Sequence, residues 1–162
     1  MPRHVVLEPL DEALLTDLLH TAVADAHPGE VMPVEAPDAS WNADREADFR
    51  AFHRGRALAE QPVESTYGIR VDGEVVGAAR LCRLPASDGA AEAGVWLGRS
   101  RRGTGIGTAV FAALIERATA EGYSRLFVST TPDNIPVLRL LTARGIDYAL
   151  DGNEATAWIR CG

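Results

Sequence analysis

Arg102, Gly105 and Gly107 belong to the run Val95-Trp96-Leu97-Gly98-Arg99-Ser100-Arg101-Arg102-Gly103-Thr104-Gly105-Ile106-Gly107-Thr108. There an apolar, strand-like segment meets alternating glycines and then an amphipathic helical pattern. Glycine lets the main chain turn, and approach a ligand where a Cβ would collide. A helix that starts in such a loop directs unpaired N–H groups and a partial positive charge at whatever lies beside it. Phosphate is the natural occupant. The segment reads as a pyrophosphate cradle.

Two familiar phosphate loops do not fit the spacing. A Walker-type loop requires Gly, four residues and then Gly-Lys-Ser/Thr. Gly98 and Gly103 have that gap, but Thr104 stands in the lysine position, and all 16 basic residues of the chain are arginine. In a dinucleotide fingerprint the third glycine would come one residue later than Gly107, and the loop would follow the first strand of a βαβ unit. The spacing that remains is Arg102-x-x-Gly105-x-Gly107.

The elements that must position this loop follow from periodicity and turn chemistry. Val5 to Glu8 reads as a strand. A helix capped by Asp11 runs to about Ala26, with Leu14, Leu15, Leu18, Leu19 and Val23 on one face. His27-Pro28-Gly29 stops it, and Glu30 to Ser40, with its prolines, reads as a loop. A charged helix is expected from Asn42 to about Glu60, weakened by Gly55. Thr66–Val71 and Glu74–Leu84 flank Asp72-Gly73, a type I′ hairpin signal. Ala91–Leu97 is the next strand, followed by a helix from Gly105 to Glu121 that Gly122 closes. Arg125–Ser129 is a strand, Pro132-Asp133-Asn134 opens a helix to Arg144, and Ile146–Leu150 with Glu154–Arg160 forms a last hairpin. There is no internal repeat and no linker, so residues 1–162 are expected to form a single domain.

At the Arg102-x-x-Gly105-x-Gly107 signature, and in its element order, the chain resembles the GCN5-related N-acetyltransferase (GNAT) superfamily. Motif supports the resemblance from about Ala91 to Leu150, and element order alone supports it before that. It implies an α/β (α+β) fold, with a mixed, mostly antiparallel sheet of about seven strands flanked by about four helices. The fourth and fifth strands of that sheet would splay to admit a pantetheine arm. It also implies acetyl-CoA as donor, with its diphosphate on Arg102, Gly103, Thr104, Gly105, Ile106, Gly107 and Thr108. The backbone of Val95, Trp96 and Leu97 would pair with pantetheine. Arg99 and Arg101 are placed either at the 3′-phosphate or in solvent. Asn134, in Asn134-x-x-Val137-x-x-x-Leu141-x-x-x-Gly145-Ile146, would bond the pantetheine or the acyl region, or else cap its helix.

Leu141 departs from the family pattern, which often has a tyrosine there to protonate the departing thiolate. Tyr123 and Tyr148 are the other tyrosines of this half, and nothing in the sequence brings either to the sulfur. A protonated amine has no lone pair to attack with, so a base or a water chain must deprotonate the acceptor. Glu92 is the candidate catalytic base, with a solvated strand carboxylate as the alternative. Glu35, Asp38 and His53 are weaker candidates.

Charge and composition bound the remaining choices. A net charge of −7 with no basic run longer than Arg101-Arg102 argues against a nucleic-acid partner. It suits a small cationic acceptor such as an amino acid, polyamine or amine-bearing antibiotic, and equally serves solubility. Cys82 and Cys161 have no metal-ligand or redox spacing, and no metal is expected. No apolar run approaches a membrane span, and a cytoplasmic protein is expected; a homodimer is left open. The expected activity is direct acetyl transfer from acetyl-CoA to a primary amine. The rival is a non-catalytic acyl-CoA-binding sensor, which would bind acetyl-CoA without releasing free thiol.

Overall fold

The computed structural model describes residues 4–36 and 40–162, so the candidate Asp38 lies outside the described residues. Seven strands form one sheet: β1 (Val5–Pro9), β2 (Glu64–Val71), β3 (Glu74–Arg83), β4 (Ala90–Leu97), β5 (Arg125–Thr130), β6 (Ala149–Asp151) and β7 (Glu154–Arg160). Their spatial order is β1-β2-β3-β4-β5-β7-β6. β4 and β5 are parallel and the other neighbours antiparallel. The helices are α1 (Glu12–Asp25), α2 (Pro28–Val31), α3 (Ala43–Arg56), α4 (Ile106–Ala120) and α5 (Ile135–Ala143). The mixed sheet matches the expected fold class, with α2 as a helix beyond the four expected.

Most boundaries have local causes visible in the sequence. The Asp11 side chain accepts the Leu14 N–H at 2.8 Å and starts α1. Leu14, Leu15, Leu18, Leu19 and Ala22 are buried, but Val23 is 39% exposed. It lies about 100° round the helix from Ala22, off the edge of the buried stripe. The expected loop after His27 instead begins with α2, because Pro28 at its first position is preset for a helical turn. There the Glu30 carboxylate accepts the His27 main-chain N–H at 2.8 Å.

α3 ends at Arg56, not near Glu60. Gly55 weakens its last turn, and Pro62 disfavours helical geometry in the residue before it. Asp72 and Gly73 have φ of 50° and 89°, as a type I′ turn requires. The last hairpin is shorter than expected. Ile146 is taken up in closing α5, its N–H donating to the Leu141 carbonyl beside Gly145 at φ 72°.

Helices cover both faces of the sheet. On one face Ile69, Ala79, Leu81 and Leu126 pack with Val110 and Leu114 of α4 and Leu141 of α5. On the other, Ala78 packs with Leu15, Leu18 and Leu19 of α1 and Phe49 of α3. β4 is held close to β3 at Gly77, where a Cβ would come within 2.1 Å of the Trp96 carbonyl oxygen. Gly77→Ala must therefore push the two strands apart. It is expected to cost about 1–3 kcal/mol, measured as a lowered denaturation midpoint with an unchanged slope.

Candidate active site

β4 and β5 pair from Ala90–Ala93 against Arg125–Val128, and no further. Beyond Ala93 the two strands part, as expected, and Gly94–Leu97 keep β3 as their sole strand neighbour. Alternate residues of that segment direct main-chain N–H and C=O groups into the gap.

One end of the resulting cleft, about 770 Å³, is lined by the residues read from the sequence for the diphosphate and pantetheine, and by Arg101 but not Arg99. Val95, Trp96 and Leu97 form its β4 wall, and Arg102 through Thr108 its loop and helix start, with Asn134 opposite. Gly105 precedes α4 at φ 83° with no side chain capping the helix, so the first amides of α4 remain open. Among the described residues, the N–H groups of Gly103, Thr104 and Gly105 have no main-chain acceptor. Ile106 is 2% exposed and plugs the start of α4 into the core. The Thr104 hydroxyl donates to the Arg101 carbonyl at 2.6 Å and pins the turn.

The arginines around this loop are engaged. Arg102 donates to Glu30 at 2.6 Å and to the Leu97 carbonyl at 3.1 Å. Arg99 donates to the other oxygen of Glu30 at 3.1 Å, and Arg101 pairs with Glu74. Asp25, at the end of α1, accepts from the Ser100 main chain at 3.1 Å and from its hydroxyl at 2.6 Å. Glu30 and Asp25 thus fasten the loop to α1 and α2, a tie that the sequence alone did not suggest.

The second end of the cleft, about 670 Å³, shares Glu30, Val95, Trp96, Phe111, Asn134 and Val137 with the first. It is lined by Phe111 of α4 and Val137 of α5, and also by Phe52 and Arg56 of α3. Since α4 and α3 cover opposite faces, the cleft passes through the sheet at the parting. Glu92 lines this end, half-buried, and its carboxylate forms no hydrogen bond or ion pair within the described residues. Asn134 stands at the start of α5, but its side chain does not cap the helix. It donates to the Thr130 hydroxyl at 2.8 Å, leaving its carbonyl oxygen open to the cleft.

The other sequence candidates lie elsewhere. Glu35 is exposed and lines neither end of the cleft. His53 is fully buried behind the wall, between Phe49 and Phe52. Burial, with the nearby Arg80 charge, lowers its pKa to about 4 and keeps the imidazole neutral. Leu141 faces the core at 1% exposure, so its position presents no side chain to the cleft. No tyrosine lines the cleft among the described residues. Tyr67 donates to Glu121, and burial together with that carboxylate pushes the phenol well above its usual range.

The sequence profile of the acetyltransferase (GNAT) family matches residues 28–146. The chain belongs to that family. Comparison with individual curated proteins returns no match. Among solved structures, Mycobacterium smegmatis RimJ in complex with CoA-disulfide aligns at TM-score 0.75 and 23% identity, over 96% of this chain and 81% of that one. RimL, a ribosomal alpha-N-protein acetyltransferase in complex with coenzyme A, aligns at TM-score 0.72 and 18% identity, over 97% of this chain and 94% of that one. Spermidine N-acetyltransferase from Vibrio cholerae, a dodecamer, aligns at TM-score 0.68 and 11% identity, over 96% and 93%. No helix among the described residues is long and apolar enough to cross a membrane.

Glu30 gives this GNAT chain a defined acid sensitivity. Partial burial disfavours its charge. The His27 amide, Arg102 and Arg99 outweigh that and hold its pKa down to about 2, against 4.5 ordinarily. Its contribution to stability is complete at neutral pH and is lost as pH falls from about 4.5 towards 2. Glu30→Gln is expected to melt lower than the parent at pH 6, with the difference shrinking steadily as thermal unfolding is followed down to pH 2.5.

Proposed function

We propose that the protein, as one domain over residues 1–162, transfers the acetyl group of acetyl-CoA directly to the primary amine of a small-molecule acceptor. The observation that carries this reading is the cleft through the sheet. Its amide-lined end suits a diphosphate, and its other end holds an unpaired carboxylate on the opposite face. The diphosphate would lie against the amides of Gly103 to Thr108, with Arg102 beside it. Pantetheine would run along Val95–Leu97 like an added strand, with the Asn134 carbonyl oxygen facing its amides. No metal is required by this chemistry.

At the parting, the amine nitrogen attacks the thioester carbonyl. The new C–N bond forms, the C–S bond breaks, and the electron pair leaves on sulfur. An open N–H of β4 would stabilise the oxyanion. Glu92 would accept the proton that the amine loses, directly or through one water. A thiolate is a stable leaving group, and water at the cleft mouth can protonate it. The absence of a cleft-lining tyrosine is compatible with that route.

The test is release of free thiol from acetyl-CoA across a panel of amines. Amine-dependent release supports transfer, whereas acetyl-CoA binding without release from any amine overturns it in favour of a sensor. Glu92→Gln is expected to lower kcat/KM about 10²–10⁴-fold at neutral pH. Its activity should recover in alkaline buffer, where more of the amine is unprotonated, with the KM for acetyl-CoA unchanged. A parent-like kcat/KM at neutral pH would remove Glu92 from the base role.

A further inference from the structure

Opposite the β4 wall, the acceptor end of the cleft carries charges that the transfer reaction itself does not call for. Glu64 of β2, with its side chain fully buried, lies between two guanidiniums, 3.3 Å from Arg56 and 3.5 Å from Arg80. Both arginines line the cleft, with side chains 38% and 33% exposed, respectively. Two positive charges thus face one buried negative charge, and the excess is open to the cavity. Phe52 holds both guanidinium carbons against its ring, at 5.6 and 5.4 Å, and fixes their direction.

The hydrogen bonding of this wall is incomplete. Among the described residues, the buried side-chain polar atoms without a hydrogen bond lie in or near it: Arg56 Nε and both Glu64 oxygens, held by the ion pairs alone, both ring nitrogens of His53 behind the wall, Thr66 Oγ1 on β2 and Trp96 Nε1 on β4. Buried polar atoms ordinarily find partners. What a ligand in the cleft can reach is the pair of partly exposed guanidiniums of Arg56 and Arg80. Within the described residues the Arg80 guanidinium makes only the 3.5 Å ion pair to Glu64 and no hydrogen bond, although it has five N–H donors.

Register places the wall beside the reacting end of the cleft. Arg80 is directly opposite Gly94, the first residue past the β4–β5 pairing, and its Nε and Nη2 would lie 3.4 Å from a Cβ there. Glu92 is two residues back on β4, with a side chain on the same face, hence about 7 Å along the strand. An amine at Glu92 and an anionic group on the guanidiniums are therefore one short molecule apart.

We propose that the acceptor is a zwitterion, in which the amine is accompanied by an oxyacid, a carboxylate or phosphonate, seated on Arg56 and Arg80. Planar guanidiniums match the two oxygens of such a group and stay charged at every working pH. Glu64 is a positioning residue that holds both forks toward the cavity. The inference rests on the acetyl-transfer reading and narrows its acceptor, favouring amino acids over polyamines.

The experiment uses the full chain with acetyl-CoA and a matched series, read as free thiol. Short amino acids and aminoalkylphosphonates are compared with their methyl esters and with diamines of equal length. At least one acid is expected to exceed its ester and its diamine about 10–100-fold in kcat/KM, the range for a charge-assisted contact. The carboxylate and phosphonate arms identify the oxyacid. Arg80→Gln and Arg56→Gln are each expected to raise the acceptor KM and erase the preference, with the acetyl-CoA KM unchanged. Arg80→Lys, which keeps the charge without the fork, should retain part of the preference and covers the case in which Arg80→Gln does not fold. Esters or diamines used as well as acids, or a preference that survives the arginine variants, would overturn the acid seat while leaving acetyl transfer standing. Acetyl-CoA binding with no thiol release from any member would overturn the transfer reading itself, and this inference with it.

Discussion

The separation of β4 from β5 after Ala93 is the constraint on which the remaining structure depends. Parting two parallel strands inside a sheet strands main-chain donors and acceptors on an inner edge, and such groups are costly unless paired. Local features hold the gap open. Ile106 fixes the start of α4 against one face, and the Asn134 side chain ties the start of α5 to Thr130 at the end of β5. The main-chain edge of Gly94–Leu97, the open amides before α4 and the carboxylate of Glu92 then face one continuous space. A flat, fully paired sheet built from the same residues would have none of these.

Local charge decides more here than net charge does. The chain is acidic overall, yet the cleft has separate positive and negative regions. At the loop end, Glu30 shares its two oxygens between Arg99 and Arg102, so the guanidiniums there are held in place while still outnumbering the carboxylate that holds them. At the opposite end, Arg56 and Arg80 outnumber the buried Glu64, while Glu92 stands apart. A preference for cationic partners inferred from the total of −7 describes the surface as a whole. What a ligand meets inside the cleft is set by which strand position points inward.

The loop was legible because glycine spacing, a strand and a helix start are all local signals. Every residue from Arg102 to Thr108 read from that pattern lines one end of the cleft, as do Val95 to Leu97, which the family resemblance implied. The strand hairpins and the cap at Asp11 were legible for the same reason. The acceptor wall was not. Counting back from the Asp72-Gly73 turn pairs Glu64 with Leu81, but a bulge between Ile69 and Arg70 shifts the register and pairs it with Cys82. A one-residue slip exchanges the faces of a strand, so Glu64 could not be seen to share a wall with Arg80, Cys82 and Glu92. His53 and Leu141 are misleading in the opposite sense, since chemistry-bearing positions by type or by family pattern turn out to be buried packing.

The central claim is that the main chain around α4's first turn holds the diphosphate of acetyl-CoA, and Gly107 tests it most directly. A Cβ at Gly107 would meet no protein atom within 4 Å, so a side chain there occupies the cleft and leaves the fold intact. Titration calorimetry of Gly107→Val with acetyl-CoA is expected to show affinity reduced by an order of magnitude or more, alongside a parent-like melting temperature. Parent-like affinity in a folded Gly107→Val protein would contradict the claim and place the diphosphate elsewhere.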